Sequence, residues 1–292
     1  MGPNKALLLG SVNVGKVVGL PVRPLCAETW KSRFLAGSEV HCIPMRTSSD
    51  LKFLLLQARG ASDPVREEEQ SAFAAQLGVD LGQIQGLDIF REPLELERAK
   101  EYSAVLVGGA GEYGVLDDNP RVRALIDFLV EVAEAKHPLF GSCFGFQALV
   151  LGLGGTVVQD EPNAEVGTYR LRRTEDAQMD PVFSILPESF NAQLGHKDRA
   201  ETMPDNVVVM ASSERCRFQA LRVKGAPVFA TQFHPELTWL DNRKRFERYM
   251  DQYGRLFGQA EAQRKLDSHK PSPEANSLLS RFVERVLLGA GQ

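Results

Sequence analysis

Three short runs of uninterrupted apolar residues, each followed by a helix-like stretch, restrict the possible folds of this chain severely. They are LKFLLLQA from Leu51, SAVLVGG from Ser103 and HPLFGS from His137. A strand with one wetted face alternates apolar and polar residues, so a run without alternation reads as a strand covered on both faces, as in a parallel sheet. The segments between the runs carry helix signals. Asp63 and Pro64 supply an N-cap and a first-turn proline, Glu67, Glu68 and Glu69 load the positive end of the helix dipole, and Gly78 marks the C-terminus. Asn119 and Pro120 open a second helix, whose apolar positions Val122, Leu125, Ile126, Leu129 and Ala133 follow a three-and-four spacing. This alternation predicts an α/β fold with a mostly parallel central sheet and helices on both of its faces.

After Gly155 the texture changes. TVVQ, VGTYRL, FNAQL, VVVMAS, FQALRV and PVFATQ are short β-rich runs separated by turn residues, which predicts additional short strands in the second half, some of them antiparallel. DNRKRFERYMDQYG returns to a helical pattern that Gly254 is expected to end. Residues 255–271 read as a polar connector, and Ser272-Pro273-Glu274 caps a last amphipathic helix reaching about Leu288. Residues 1–50 show no clear period and are expected to be a poorly structured extension. The expected organisation is therefore an extension over 1–50, one domain over 51–254, and a connector with a C-terminal helix over 255–292.

Composition narrows the function classes. Lys and Arg number 34 against 38 Asp and Glu, a formal net charge of -4. That leaves no reservoir of basic surface for nucleic acid, and a small-molecule substrate or a protein partner is expected. Cys26, Cys42, Cys143 and Cys216 have neither disulfide-scaffold nor zinc-site spacing, so a reduced, cytoplasmic setting is expected, with no metal and no cofactor. The apolar run ALLLGSVNVGKVVGL is interrupted by Asn13, Lys16 and glycines and lacks a clear cleavage site, so no signal peptide is expected. No apolar stretch approaches the roughly 20 residues of a membrane span. Gly10, Gly15 and Lys16 have phosphate-loop spacing, but Val17 stands where a Ser or Thr would hold magnesium, and no nucleotide site is expected there.

The chemistry concentrates in PLFGSCFGFQALVLGLGG. A cysteine between a short strand and a helix, with Gly141 two before it and Gly145 two after, has the pattern of a nucleophile elbow, where side chains at the flanking positions would collide with neighbouring backbone. The helix N-terminus after Cys143 favours a thiolate, and the Phe144 N–H is placed to donate to an oxyanion. Five histidines could serve as its base. His41, His137 and His269 stand in unpromising positions. His234 follows an apolar strand and precedes Pro235 and Glu236; an extended backbone puts residues 234 and 236 on one side, so that a carboxylate can orient the imidazole.

Together, Gly141-x-Cys143-x-Gly145-x-Gln147 and Gln232-Phe233-His234-Pro235-Glu236, about 90 residues later, resemble the class I glutamine amidotransferase family. LVGGAGEYGV and the segment around His196, Lys197 and Asp198 add to the likeness, which runs from about Lys52 to about Tyr253 and is nearest to the glutaminase part of GMP synthase and stand-alone proteins like it. The resemblance implies a flavodoxin-like sheet and cleavage of the γ-glutamyl amide of glutamine through a cysteine thioester. It assigns Cys143, His234 and Glu236 as the triad, Gly109 and Phe144 as oxyanion donors, and Gln147, His196 and Asp198 as substrate-binding residues.

The chain departs from the family pattern at Ser142, at Phe146 and at Ala110-Gly111-Glu112-Tyr113. These positions surround the mouth of the site and leave the acceptor and the substrate size open. Only 39 residues follow Tyr253, too few for a synthetase domain, so ammonia made for use is expected to pass to a separate synthase protein. Two alternatives stay open: a γ-glutamyl peptidase acting on small peptides such as glutathione, and a non-catalytic regulatory module with the same fold.

Overall fold

A computed structural model describes residues 47–289. The expectations placed on Gly10–Lys16, Cys26, His41 and Cys42 lie outside the described residues.

Among the described residues, eleven strands and eight α-helices follow one another. The first half runs from β1 (Phe53–Gln57) and α1 (Val65–Leu77) through β2 (Ile84–Asp88), α2 (Leu96–Lys100), β3 (Ala104–Val107), α3 (Pro120–Glu134), β4 (Leu139–Ser142) and α4 (Phe144–Gly152). The second half holds β5 (Thr156–Gln159), β6 (Glu165–Arg173), β7 (Ser189–His196), β8 (Asp198–Thr202), β9 (Val207–Ser212), β10 (Ala220–Val223) and β11 (Val228–Thr231). It closes with α5 (Trp239–Arg248), α6 (Met250–Phe257), α7 (Gln259–Asp267) and α8 (Pro273–Phe282). The large sheet has the order β2-β1-β3-β4-β11-β10-β9-β6-β7, and β5 pairs with β8 in a small sheet of its own.

From β2 to β11 the neighbouring strands are parallel, and beyond β11 they are antiparallel. The first apolar run shows why. Leu54 and Leu56 of β1 pack on one face with Leu125 and Leu129 of α3 and Phe146 of α4. Phe53 and Leu55 pack on the other with Phe73 of α1 and Leu279 and Phe282 of α8. Successive side chains of a strand point to opposite faces, so a strand buried on both must be apolar at every position. The helix signals act as expected. The Val65 N–H donates to Asp63 Oδ1 at 2.9 Å, Gly78 ends α1 at φ 71, and the Arg121 N–H donates to Asn119 Oδ1 at 2.9 Å.

Three local expectations require correction. The helix expected to end at Gly254 is two helices: α5 stops at Arg248, and α6 runs through Gly254 to Phe257, with Gly258 at φ 83 as the terminator. Gly254 serves contact instead, since a Cβ there would lie 2.4 Å from the Gln259 side-chain amide. The expected polar connector contains α7, whose Ala262 and Leu266 are buried with Val166 and Phe246, and which brings in His269 at 7% exposure. One narrow apolar stripe suffices to seat a short helix whose composition is otherwise polar. Strands β2 and β8 add to the expected set; IQGLD and DRAET lack the β-branched density that marks a strand.

Candidate active site

Parallel α/β sheets present their functional groups beyond the carboxyl ends of the strands, and the candidate residues gather there. Arg59 follows β1, Gly108 and Gly109 follow β3, Cys143 follows β4, and His234 stands three residues beyond β11.

Cys143 has φ 50 and ψ −96, in the left-handed half of backbone space that a side chain disfavours. Its N–H donates to Thr231 O at 2.7 Å, and its carbonyl accepts from the Gln147 N–H at 3.1 Å. The flanking glycines are dictated by close approach. A Cβ at Gly141 would lie 3.0 Å from the Gly145 carbonyl carbon, and a Cβ at Gly145 would lie 2.8 Å from Val107 Cβ. The elbow therefore fits between β3 and α4 only without those two side chains. Phe144 is the first residue of α4, and the N–H groups of a first helical turn have no partner within the helix. Gly109 lies against His234, since a Cβ there would be 2.9 Å from the imidazole Cε1.

Thr231 also links the two candidate catalytic groups, because it anchors the Cys143 backbone at the end of the strand that leads to His234. The His234 N–H donates to Gln193 O at 2.8 Å, and its Nδ1 and Glu236 Oε1 are 2.7 Å apart. Both side chains are buried, Glu236 completely. Burial alone would lower the proton affinity of His234; the Glu236 carboxylate and the Cys143 sulfur outweigh it and push its pKa up to about 10. For Glu236, burial works toward a higher pKa, and the positive charge of His234 overrides it so that the carboxyl sits lower than usual. The carboxylate, imidazole and thiol thus form one electrostatically coupled row.

The remaining candidates divide. Gln147 Nε2 donates to Asp198 O at 2.9 Å and to Gln232 Oε1 at 3.1 Å, leaving its own Oε1 without a partner among the described residues. Asp198 is buried, its Oδ1 has no hydrogen-bond partner among the described residues, and burial raises its pKa. His196 differs because both ring nitrogens are engaged, Nδ1 with Asp198 O at 3.0 Å and Nε2 with Glu165 Oε2 at 3.2 Å. Its side chain supports the turn that carries Asp198. His137 precedes β4, at the opposite end of that strand from Cys143.

Several residues at the site have no role assigned by the sequence motifs. Gln232 Nε2 stands 3.7 Å from Cys143 Sγ. Arg59 is buried beside the glycine loop and pairs with Asp63 and with the fully buried Glu69, each at 3.3 Å; its place just after a parallel strand was the available signal. Arg245, Tyr249 and Tyr253 reach the site from α5, α6 and the residue between them, and nothing in their spacing announces it. Arg59, Asp63, Arg245, Tyr249 and Tyr253 border a cavity of about 990 Å³ that opens beside Cys143.

Comparison with known proteins supplies the family and the fold. Residues 75–248 match the family described as glutamine amidotransferase class-I, which is more than half of the chain. A subunit of the glutamine-hydrolyzing GMP synthase from Methanocaldococcus jannaschii is 30% identical over 143 residues, 49% of this chain and 69% of that protein. A glutamine-hydrolyzing GMP synthase from Thermosipho africanus is 36% identical over 107 residues, 37% of this chain but only 20% of that protein's length. Among solved structures, a glutamine amidotransferase from Thermotoga maritima superimposes with a TM-score of 0.60 at 21% identity, covering 81% of this chain and 98% of that one. A glutamine amidotransferase from Methylobacillus flagellatus gives 0.61 at 19% identity, over 81% and 95%. The chain belongs to the class I glutamine amidotransferase family.

Proposed function

We propose that this protein hydrolyses the side-chain amide of glutamine, releasing glutamate and ammonia. The observation that carries the reading is the coupled row from Glu236 through His234 to a thiol held at a left-handed backbone position. Cys143 Sγ attacks the amide carbonyl, and the thiol proton resides on His234. Charge develops on the carbonyl oxygen, where the N–H groups of Phe144 and Gly109 receive it. His234 then gives its proton to the leaving nitrogen, ammonia departs, and a thioester remains. Water, deprotonated by the same imidazole, cleaves the thioester and restores the thiol. Glu236 keeps the imidazole turned toward sulfur throughout. Asp198 and the free oxygen of Gln147 suit the ammonium at the other end of the substrate.

The curated relatives are named as GMP synthases or as subunits of them, and by that likeness the ammonia passes to a synthase carried on a separate chain. Among the described residues no helix is long and apolar enough to cross a membrane.

A second reading is favoured by one observation. The cavity of about 990 Å³ stands at the upper end of the range for sites that enclose drug-sized ligands, far more room than one free amino acid fills. Longer γ-glutamyl amides fit the same chemistry with an amine leaving in place of ammonia. Incubation with glutamine and with γ-glutamyl peptides, reading glutamate release, tests both readings. Glutamate from either in the wild type, with none from Cys143→Ala, supports the hydrolase. A glutamine-like electrophile that left Cys143 unmodified by mass spectrometry would refute it.

A further inference from the structure

The wall of the cavity contributed by α5 and α6 contains an unspent cation. Arg245 lines the cavity, and its Nη2 is buried without a hydrogen-bond partner among the described residues. Nor does Arg245 take part in any ion pair among the described residues. The Arg59 guanidinium, which also lines the cavity, is by contrast ion-paired with Asp63 and Glu69. An unpaired buried N–H is costly, and a carboxylate is the partner whose geometry suits a guanidinium fork.

Its position indicates which part of a substrate would reach it. Asn242, one turn before Arg245 on α5, donates to Gln193 Oε1 at 3.1 Å, and the backbone carbonyl of the same Gln193 accepts from the His234 N–H at 2.8 Å. Arg245 therefore stands on the imidazole side of the thiol. The proton donated to the leaving nitrogen comes from His234, so whatever that nitrogen carries is directed along the imidazole side. Gln147 and Asp198, the groups suited to the substrate's ammonium, belong to a separate wall formed by α4 and β8.

We infer that the cavity accepts γ-glutamyl amides whose leaving amine bears a carboxylate, and that Arg245 is the specificity-determining residue that receives it. The inference rests on the hydrolase reading for the direction of the leaving group. Bond chemistry is unchanged: the amide C–N bond breaks, water supplies the hydroxyl of glutamate, and an amino acid or peptide departs with the proton from His234.

Calorimetric titration of the Cys143→Ala protein tests the subsite without turnover. The ligands are γ-glutamylglycine and γ-glutamylglycinamide, which differ only in the carboxylate. The acid is expected to bind about ten- to a hundred-fold more tightly, as a charge-assisted hydrogen bond provides. That preference should collapse toward one in Cys143→Ala/Arg245→Gln and return in part with Arg245→Lys. Equal affinity for the two ligands, binding of neither, or a preference that survives Arg245→Gln would overturn the inference. The ligand pair decides the matter even where an Arg245 variant does not fold. Preferential binding without wild-type turnover would keep the subsite and reject the hydrolase; glutamine turnover without preference would do the reverse.

Discussion

At the scale of the residue, the proposed reaction gives three side chains distinct duties. In Cys143→Ser the serine fits the same elbow, but its hydroxyl is a far weaker acid than a thiol and stays protonated. Glutamate release should fall by about a thousand-fold or more while the thermal midpoint stays near that of the wild type. Comparable turnover in the two proteins would refute the nucleophile. Glu236 offers a pH test. The His234 pKa of about 10 lies above its ordinary 6.5, so the charged row stabilises the folded state fully below pH 6.5 and loses that contribution as pH rises through about 10. In Glu236→Gln the burial that opposes the charge is no longer outweighed by a carboxylate. The alkaline limb of the pH–rate profile should then move to lower pH, and an unmoved limb would show that the carboxylate does not tune the imidazole. The triad candidates, with Gly141 and Gly145, could be read from the chain because elbow sterics and the His-Pro-Glu order are local constraints. Arg245, Tyr249 and Tyr253 could not, since each reaches the site through contacts between elements far along the chain from the thiol.

At the scale of the element, the turn from β4 into α4 is a joint with little steric room. Gly145→Ala would set a Cβ 2.8 Å from Val107 Cβ and 3.0 Å from the Val107 carbonyl oxygen. Backbone has little room to yield, so the variant should lose about 1–3 kcal/mol of stability and most of its turnover, read by denaturant titration and glutamate release. A variant as stable and active as the wild type would mean that the elbow relaxes freely. Element identity was legible wherever burial on two faces or a cap left a mark, as in β1, β3, β4, α1 and α3. It was not legible in α7, where a polar sequence is held helical by Ala262 and Leu266 meeting Val166 and Phe246. The break between α5 and α6 falls at Tyr249 rather than at a glycine.

At the scale of the whole molecule, two apolar layers lie on the two faces of the large sheet, and α8 belongs to one of them. Phe282 of α8 meets Phe140 and Phe229 edge-on, at ring-centroid distances of 5.6 and 5.7 Å. Phe282→Ala should therefore cost about 3–5 kcal/mol and lower the thermal midpoint of the single transition that includes the sheet. A neutral effect in calorimetry would show that α8 is an appendage. The same layering explains the cavity. Strands β1, β3, β4 and β11 end on one edge, and α5 with α6 wall that edge after the chain has passed His234.

Read along its length, the chain already specifies its strand-helix alternation, the two-sided burial of its first strands, the strained cysteine turn and the paired imidazole and carboxylate. All of these follow from periodicity and from sterics acting within a few residues. The approach of α5 and α6 to the thiol, the engagement of both His196 nitrogens and the unpaired charge of Arg245 emerge only once the chain is folded. They arise from contacts between segments far apart in the chain, where packing brings together atoms that no local pattern relates.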